Sequence, residues 1–144
     1  MQVSVADGGT KELALQGIAL ATFTSISNEL NNPKPLNCPL DFDRDRTNSF
    51  DYLTSSNISY FVSINVSNNS SAILGGDRNV CVGGRLANGL VEIPNPNWAA
   101  WGVRIHTNQG NVVFADGSFQ QMDDRLLRTT LRNTGLATNR FLIP

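Results

Sequence analysis

Charged residues are scarce in this chain of 144 residues, at 16%, and the formal net charge is -1. A typical soluble domain has about 25% charged residues. Because there is no basic excess, nothing draws the chain to nucleic acid or to an anionic membrane surface, and we expect no nucleic-acid partner. The polar surface must come from amides and hydroxyls, and the sequence is rich in Asn, Ser and Thr. This composition favours a loop-rich β domain over a helical enzyme.

Cysteine is also rare, with Cys38 and Cys81 the only two. They form no CxxC motif, which excludes a zinc ribbon or a thioredoxin-like site. A disulfide between them would close a long loop and stabilise the fold in an oxidising compartment. The alternative is two separate buried thiols, which we favour because no local feature brings the two cysteines together.

Long apolar runs are absent as well. No stretch of 18 apolar residues occurs, so the sequence predicts no membrane-spanning helix. The first residues, MQVSVADGG, have neither the basic start nor the apolar core of a signal peptide. At this length we expect one domain, residues 1–144, with a single hydrophobic core.

Catalytic and metal motifs are missing too. There is no GxSxG or HExxH motif, and no residue pattern predicts a cofactor or a metal ion. The run 41–45, DFDRD, begins like a calcium loop, but Arg46 and Tyr52 stand where such a loop needs Gly and Glu. We interpret it as a solvated charge cluster. A Ser-His-Asp triad is not excluded by the sequence, because such triads are recognised by their geometry. No serine, however, lies at a strand-to-helix elbow.

Apolar periodicity predicts a helix near each end of the chain. The first covers residues 11–30, is most regular over 19–30, and stops before Pro33 because proline cannot continue a helix. The second follows Asp123, which can cap its N-terminus, and ends at Gly135.

Short β-prone runs fill the sequence between these helices. Strands are expected at residues 36–39, 57–66, 72–74, 79–82 and 99–105, with 50–53 as a helical turn, 83–97 irregular and 140–144 as an edge strand. The run GGDRN lacks the Lys-Ser/Thr of a phosphate loop, so we interpret it as a turn stabilised by an Asp77–Arg78 network with the neighbouring strands. The order helix, strands, helix predicts an α+β fold with an antiparallel sheet.

The most informative segment is HTNQGNVVFADG, which begins at His106, the only histidine. Asp116 and Gly117 separate two β-prone runs and predict a hairpin with a type I′ turn. An acid–base role for His106 needs a carboxylate, and Asp116 is the nearest candidate in sequence. The alternative, which we favour, is that His106 packs against the hairpin and hydrogen-bonds Asp116 or a backbone carbonyl.

Two tryptophans, Trp98 and Trp101, precede this segment. Exposed together, they would offer a surface for a sugar or a protein partner. We favour the alternative, in which both anchor a sheet over the core.

From about Ser27 onward the chain resembles bacterial prepilin-type, pseudopilin-like proteins of the Verrucomicrobia and Planctomycetes kind. The resemblance is carried by SNELNNPKPLNCPLD, SNISYFVSINV, LGGDRNV and LRNTGLATNRFLIP, and above all by HTNQGNVVFADGSFQQ, which contains an H-X9-DG signature. It marks His106, Asp116 and Gly117, together with Asp77 and Arg78, as structural residues.

The resemblance implies a pilin-like head domain whose N-terminal helix, absent from this chain, anchors the protein in the inner membrane and forms the filament core. Expected partners are other pilin or pseudopilin subunits of a type II secretion or type IV pilus-like system, on the periplasmic or cell-surface side. The protein would be structural and not an enzyme. An exposed apolar patch is expected where that helix packs. The alternatives are a minor subunit that binds a ligand through Trp98, Trp101 and the loop 83–97, or a small hydrolase with His106 as base.

Overall fold

The computed structural model, which describes residues 3–66 and 69–144, contains two antiparallel sheets within those ranges. The strands are β1 (Tyr60–Ser63), β2 (Ile73–Asp77), β3 (Val80–Val82), β4 (Arg85–Leu86), β5 (Gly89–Ile93), β6 (Ala99–Trp101), β7 (Gly110–Phe114), β8 (Phe119–Met122) and β9 (Asn139–Ile143). The α-helices are α1 (Lys11–Leu15), α2 (Ala19–Thr24), α3 (Ser27–Leu30) and α4 (Asp124–Asn133). The mixed helix and sheet content confirms the α+β prediction.

The larger sheet has the strand order β5-β9-β1-β2-β7-β8, and the smaller has the order β4-β3-β6. The C-terminal strand β9 therefore lies inside the larger sheet, and the prediction of an edge strand was wrong. The reason is that β9 is apolar on both faces: Phe141 and Ile143 enter the main core, while Leu142 packs on the opposite side. A strand buried on both faces is typical of the sheet interior.

The main core lies between one face of the larger sheet, the smaller sheet and α4. Its fully buried members include Phe61, Trp101, Val112, Leu127 and Phe141, and the rings of Phe61 and Phe141 stack with centroids 4.3 Å apart. Each such side chain contributes about 1.5–3 kcal/mol by leaving water. Most of this face of the sheet is thus covered, although Gln120, opposite Val112 in β8, stays exposed.

The N-terminal segment covers part of the opposite face, where α1–α3 and the following loops pack over β5, β9 and β1. One helix was expected over 11–30, but the chain forms three short ones. Gly17 takes a φ of 83°, which ends the first helical segment, and the third ends at Asn31 with a φ of 57°. The open part of this face lies over β2, β7 and β8.

Two further expectations for secondary structure, at residues 36–39 and 83–97, were wrong. Lys34–Leu36 is a 3₁₀ turn, because Pro33 and Pro35 favour a tight bend over the expected strand. The supposedly irregular run 83–97 contains β4 and β5, since Gly83 and Gly84 form the turn that returns β4 onto β3. The expected helical turn at Phe50–Tyr52 is confirmed.

The hairpin formed by β7 and β8 is confirmed, but its turn type was wrong. The N–H of Gly117 donates to the Phe114 carbonyl, and Gly117, unlike Asp116, has a positive φ. A type I′ turn would need positive φ at both central residues, so this is a longer loop that ends in a left-handed glycine. Asp116 stabilises the loop by accepting hydrogen bonds from the Ser118 N–H and hydroxyl, which lower the pKa of its carboxyl group.

Helix α4 begins and ends as expected. The Asp123 carboxylate caps it by accepting from the Leu126 N–H at 2.8 Å, and Gly135 follows the last turn with a φ of 73°. Asp124 accepts from the Trp101 N–H at 2.7 Å, which fixes α4 against β6. In the part of the chain described here, no helix has both the length and the apolar character needed to cross a bilayer.

Gly76 offers a test of the packing between β2 and its neighbours. A Cβ at this position would lie 2.5 Å from the Asn111 carbonyl oxygen and 2.9 Å from the Phe61 ring. Gly76→Ala should therefore lower the free energy of unfolding by about 3 kcal/mol, at the upper end for an overpacked core, since one clashing atom is backbone. Gly117→Ala, which meets open space at a positive φ, should cost only about 1–2 kcal/mol. Denaturant unfolding that ranks the two equal would contradict this packing.

Candidate functional site

The candidate site is built around three consecutive buried residues, Asp77, Arg78 and Asn79, at the end of β2. Strand β2 is buried at its two glycines, and the three side chains that follow them enter separate hydrogen-bond networks. Each network ties a different part of the chain to the sheet, so this short segment determines how the site is assembled.

Asp77 is 1% exposed, and its carboxylate contacts the hairpin. Oδ2 accepts from the backbone N–H of Asn111 at 2.6 Å and from its side-chain amide at 3.0 Å. Oδ1 is buried and has no hydrogen-bond partner among the described residues. Burial raises the pKa of Asp77, so its anion is costly in this environment.

Arg78 pairs with Asp41, whereas Asp77 bonds the neighbouring strand β7, so the two residues enter separate networks and not the single one that the sequence predicted. Its Nε and Nη2 donate to the two oxygens of Asp41, both at 2.7 Å, and both side chains are almost fully buried. Asp43, 40% exposed, lies 3.5 Å from Arg78 and 2.7 Å from Arg104. The expectation of a solvated charge cluster over 41–45 was therefore wrong for Asp41, because its carboxylate neutralises a cation that the sheet buries.

Asn79 holds the loop that carries His106. Its side-chain amide nitrogen donates to three backbone carbonyls, those of Gly102 (2.9 Å), Ile105 (2.9 Å) and Gln109 (3.0 Å). Within this loop, three consecutive non-glycine residues from His106 to Asn108 have φ values of 53°, 49° and 58°. Non-glycine residues rarely adopt this left-handed backbone conformation. It persists only where the surrounding structure imposes it.

His106 is brought to Asp77 and Cys38, not to Asp116. Its Nε2 lies 3.4 Å from the Asp77 carboxylate, 3.7 Å from the Cys38 sulfur and 3.0 Å from the Asn111 amide nitrogen. The expectation of Asp116 as the partner was wrong, and within residues 3–66 and 69–144 His106 makes no hydrogen bond to a backbone carbonyl. The hairpin does contact His106, but through Asn111 in β7, while Asp116 lies at the far end of that strand. The ligand-type atoms of Cys38, Asp77 and His106 all lie within 4.8 Å of one another.

Sequence reasoning missed this trio because its members are distant along the chain. Cys38 lies 68 positions before His106 and was considered only as a thiol or a disulfide partner. In the part of the chain that the structure describes, Cys38 and Cys81 are both free, so the disulfide is not formed. Cys38 is buried and Cys81 is half-buried. Burial raises the pKa of Cys38, and also that of the adjacent Tyr60 to about 12.

The geometry of the trio differs from that of a nucleophile–histidine–carboxylate relay. A relay uses both ring nitrogens, one toward the nucleophile and the other toward the carboxylate. Here Cys38 and Asp77 approach the same atom, His106 Nε2. The arrangement instead brings one nitrogen, one sulfur and one oxygen within 4.8 Å of one another, and this is a donor set that metal ions use.

The two tryptophans do not form a shared surface. Trp101 is 3% exposed and packs in the main core, whereas Trp98 is 52% exposed. The interpretation of both as core residues was right for Trp101 and wrong for Trp98. Trp98 ends a 3₁₀ turn, where its ring lies outside the sheet.

An apolar groove of about 380 Å³ lies on the open face of the larger sheet. One cross-strand row crosses it, from Phe119 in β8 through Val113 and Gly75 to Val62 in β1. Gly75 has no side chain, so the floor of the groove is lowest over β2. Its polar end is formed by Tyr60, Asp77 and Asn111, which connects the groove to the trio.

No family model matches the chain, and neither a curated protein nor a solved structure is significantly similar to it.

The buried ion pair gives a direct test of how the site is held. Asp41→Asn leaves the Arg78 guanidinium buried without its bidentate partner, and loss of one member of such a pair costs about 3–5 kcal/mol. The free energy of unfolding should fall by that amount. Asp43→Asn, at an exposed pair, should have a much smaller effect. Equal losses in denaturant titrations would show that Arg78 is not bound as described.

Asn79 can be tested with a change of one atom. Asn79→Asp removes the donor that serves three carbonyls, which should cost about 3 kcal/mol or more and release the loop that carries His106. Asn95→Asp is a matched control, because Asn95 uses its oxygen to cap a turn and aspartate keeps that oxygen. Hydrogen exchange of residues 102–109 should accelerate in the first variant alone. Unchanged exchange in Asn79→Asp would contradict the role of Asn79.

Proposed function

We propose that this chain is the globular head of a pilin- or pseudopilin-type subunit, in a type II secretion or type IV pilus-like system. Its role would be structural, on the periplasmic or cell-surface side, with other subunits of the same kind as partners. The observation that carries the proposal is the apolar groove on the open sheet face. The resemblance carried by the H-X9-DG signature points to prepilin-type proteins, in which an apolar N-terminal helix packs on the head domain.

The occupant that we propose for the groove is the apolar N-terminal helix of a prepilin-type protein, which also anchors the subunit in the inner membrane. The groove is open along the sheet, and its walls are apolar apart from the end formed by Tyr60, Asp77 and Asn111. Val113 and Phe119 remain 38% and 80% exposed beside it. Exposed apolar side chains beside a groove are typical of a surface that another structural element covers.

The shape of the groove favours a helix over an added strand. Its row from Phe119 to Val62 runs across four strands on the sheet face, away from the backbone groups at either edge. An added strand would need those edge groups. A helix instead packs side chains onto the face, and the glycine at position 75 lets it approach β2 closely.

A structural role also fits the chemistry of the candidate site. Because Cys38 and Asp77 share one nitrogen of His106, the trio lacks the two-sided histidine that acyl transfer uses. The hydrolase alternative, with His106 as base, gains no support from this arrangement. The binding-module alternative used Trp98, Trp101 and the loop 83–97, and burial of Trp101 removes one tryptophan from that surface.

A groove substitution in cells that make the protein with its natural N-terminal sequence tests the proposal. Phe119→Asp places a charge in the groove, so it should remove the protein from the sedimentable filament fraction obtained by shearing. Val103→Asp is a matched control, since Val103 is 68% exposed and lies outside the groove. The wild type and the control should sediment and cross-link to further copies of the protein. A wild type that stays monomeric and never sediments would refute a filament role.

A further inference from the structure

We infer that Cys38 Sγ, the Asp77 carboxylate and His106 Nε2 form a zinc-binding site, with a water molecule or an external ligand in the fourth position. The inference is independent of the filament role, since it depends on the geometry of these three side chains and not on the groove.

Two of the three distances between the donor atoms match a zinc tetrahedron. Zinc lies about 2.3 Å from thiolate sulfur and about 2.0–2.2 Å from nitrogen or oxygen, so tetrahedral ligand atoms are separated by roughly 3.4–3.6 Å. The observed separations are 3.4 Å from His106 Nε2 to Asp77 Oδ2 and 3.7 Å from His106 Nε2 to Cys38 Sγ. The third separation is within 4.8 Å. A small adjustment of side chains therefore completes three of the four corners.

The side-chain amide of Asn111 connects the imidazole and the carboxylate. It lies 3.0 Å from both His106 Nε2 and Asp77 Oδ2, so its two protons can serve one acceptor each. Nε2 has a single lone pair, and zinc binding therefore replaces the Asn111 contact at that nitrogen. The bonds from Asn111 to Asp77 can remain, and Cys38 Sγ and the unpartnered Asp77 Oδ1 supply further electron pairs among the described residues.

The surroundings are suited to hold the ligands in place. Asn111 donates twice to Asp77 and orients its carboxylate, while Asn79 fixes the loop that carries His106. Such supporting hydrogen bonds accompany metal ligands and raise affinity. Asp77 Oδ1, nine-tenths buried and without a partner in residues 3–66 and 69–144, is a further oxygen that a cation can satisfy.

Charge balance favours a dication. Thiolate and carboxylate ligands with a neutral imidazole carry two negative charges, which Zn²⁺ neutralises in a largely buried site. Sulfur and nitrogen donors select zinc over magnesium or calcium, which prefer oxygen. His106 is 15% exposed, so the metal can enter from the side of its loop.

Cobalt substitution tests the site directly, because a thiolate bound to Co²⁺ gives a charge-transfer absorption and tetrahedral Co²⁺ gives visible bands. The reduced, metal-free wild-type protein should bind one equivalent of Co²⁺ with both features, and added Zn²⁺ should displace it. Cys81→Ser is the matched control, since Cys81 lies outside the trio, and it should behave like the wild type.

Three ligand variants should lose the site. Cys38→Ser should abolish the charge-transfer band. His106→Gln and Asp77→Asn should weaken zinc affinity, measured by competition, by more than the roughly 10–100-fold that loss of a supporting hydrogen bond costs. Circular dichroism checks that each variant is folded, and His106→Gln, at a partly exposed position, keeps the test valid if a buried variant does not fold. A folded wild type without the charge-transfer band, or a band that survives in Cys38→Ser, would overturn the inference.

Discussion

The bidentate ion pair between Arg78 and Asp41 joins the N-terminal half of the chain to the central sheet, and the arrangement of the candidate site depends on it. Both charged groups are buried, so separating them would leave each charge uncompensated at a high cost in free energy. The loop that contains Asp41 must therefore lie next to Arg78 at the end of β2. Cys38 lies three residues before Asp41 and is carried to the sheet with it. On the other side of the same strand end, Asn79 fixes the loop of His106. Two distant segments thus meet at Asp77.

This constraint also relates the groove to the trio. Tyr60, Asp77 and Asn111 form the polar end of a groove whose remaining walls are apolar. An apolar helix seated along β2, β7 and β8 would therefore end close to the trio, and a zinc ion there would stabilise the sheet end beneath it. The two proposals describe different chemistry on one face of the protein, and each can fail without the other.

Local patterns in the sequence were sufficient for some elements and not for others. The cap at Asp123, the end at Gly135 and the hairpin depend on neighbours in sequence, and they were predicted. The position of β9 was not, because a five-residue apolar strand gives no sign of which strands flank it. The Cys38–Asp77–His106 trio was also out of reach, since its members meet only through the Asp41–Arg78 pair and the Asn79 hydrogen bonds. The one available signal was that GGDRN places three polar residues directly after a buried strand.

A photoreactive amino acid at position 113 offers the most direct measurement of the central claim, that the groove receives an apolar helix. Val113 lies in the middle of the groove row, between Phe119 and Gly75. Irradiation of cells that assemble the protein, followed by mass spectrometry of the cross-linked peptides, identifies what covers it. The account predicts an apolar helical segment of a prepilin-type N-terminus as the cross-linked partner. Cross-links confined to polar surfaces of unrelated soluble proteins, or none in assembled material, would contradict it.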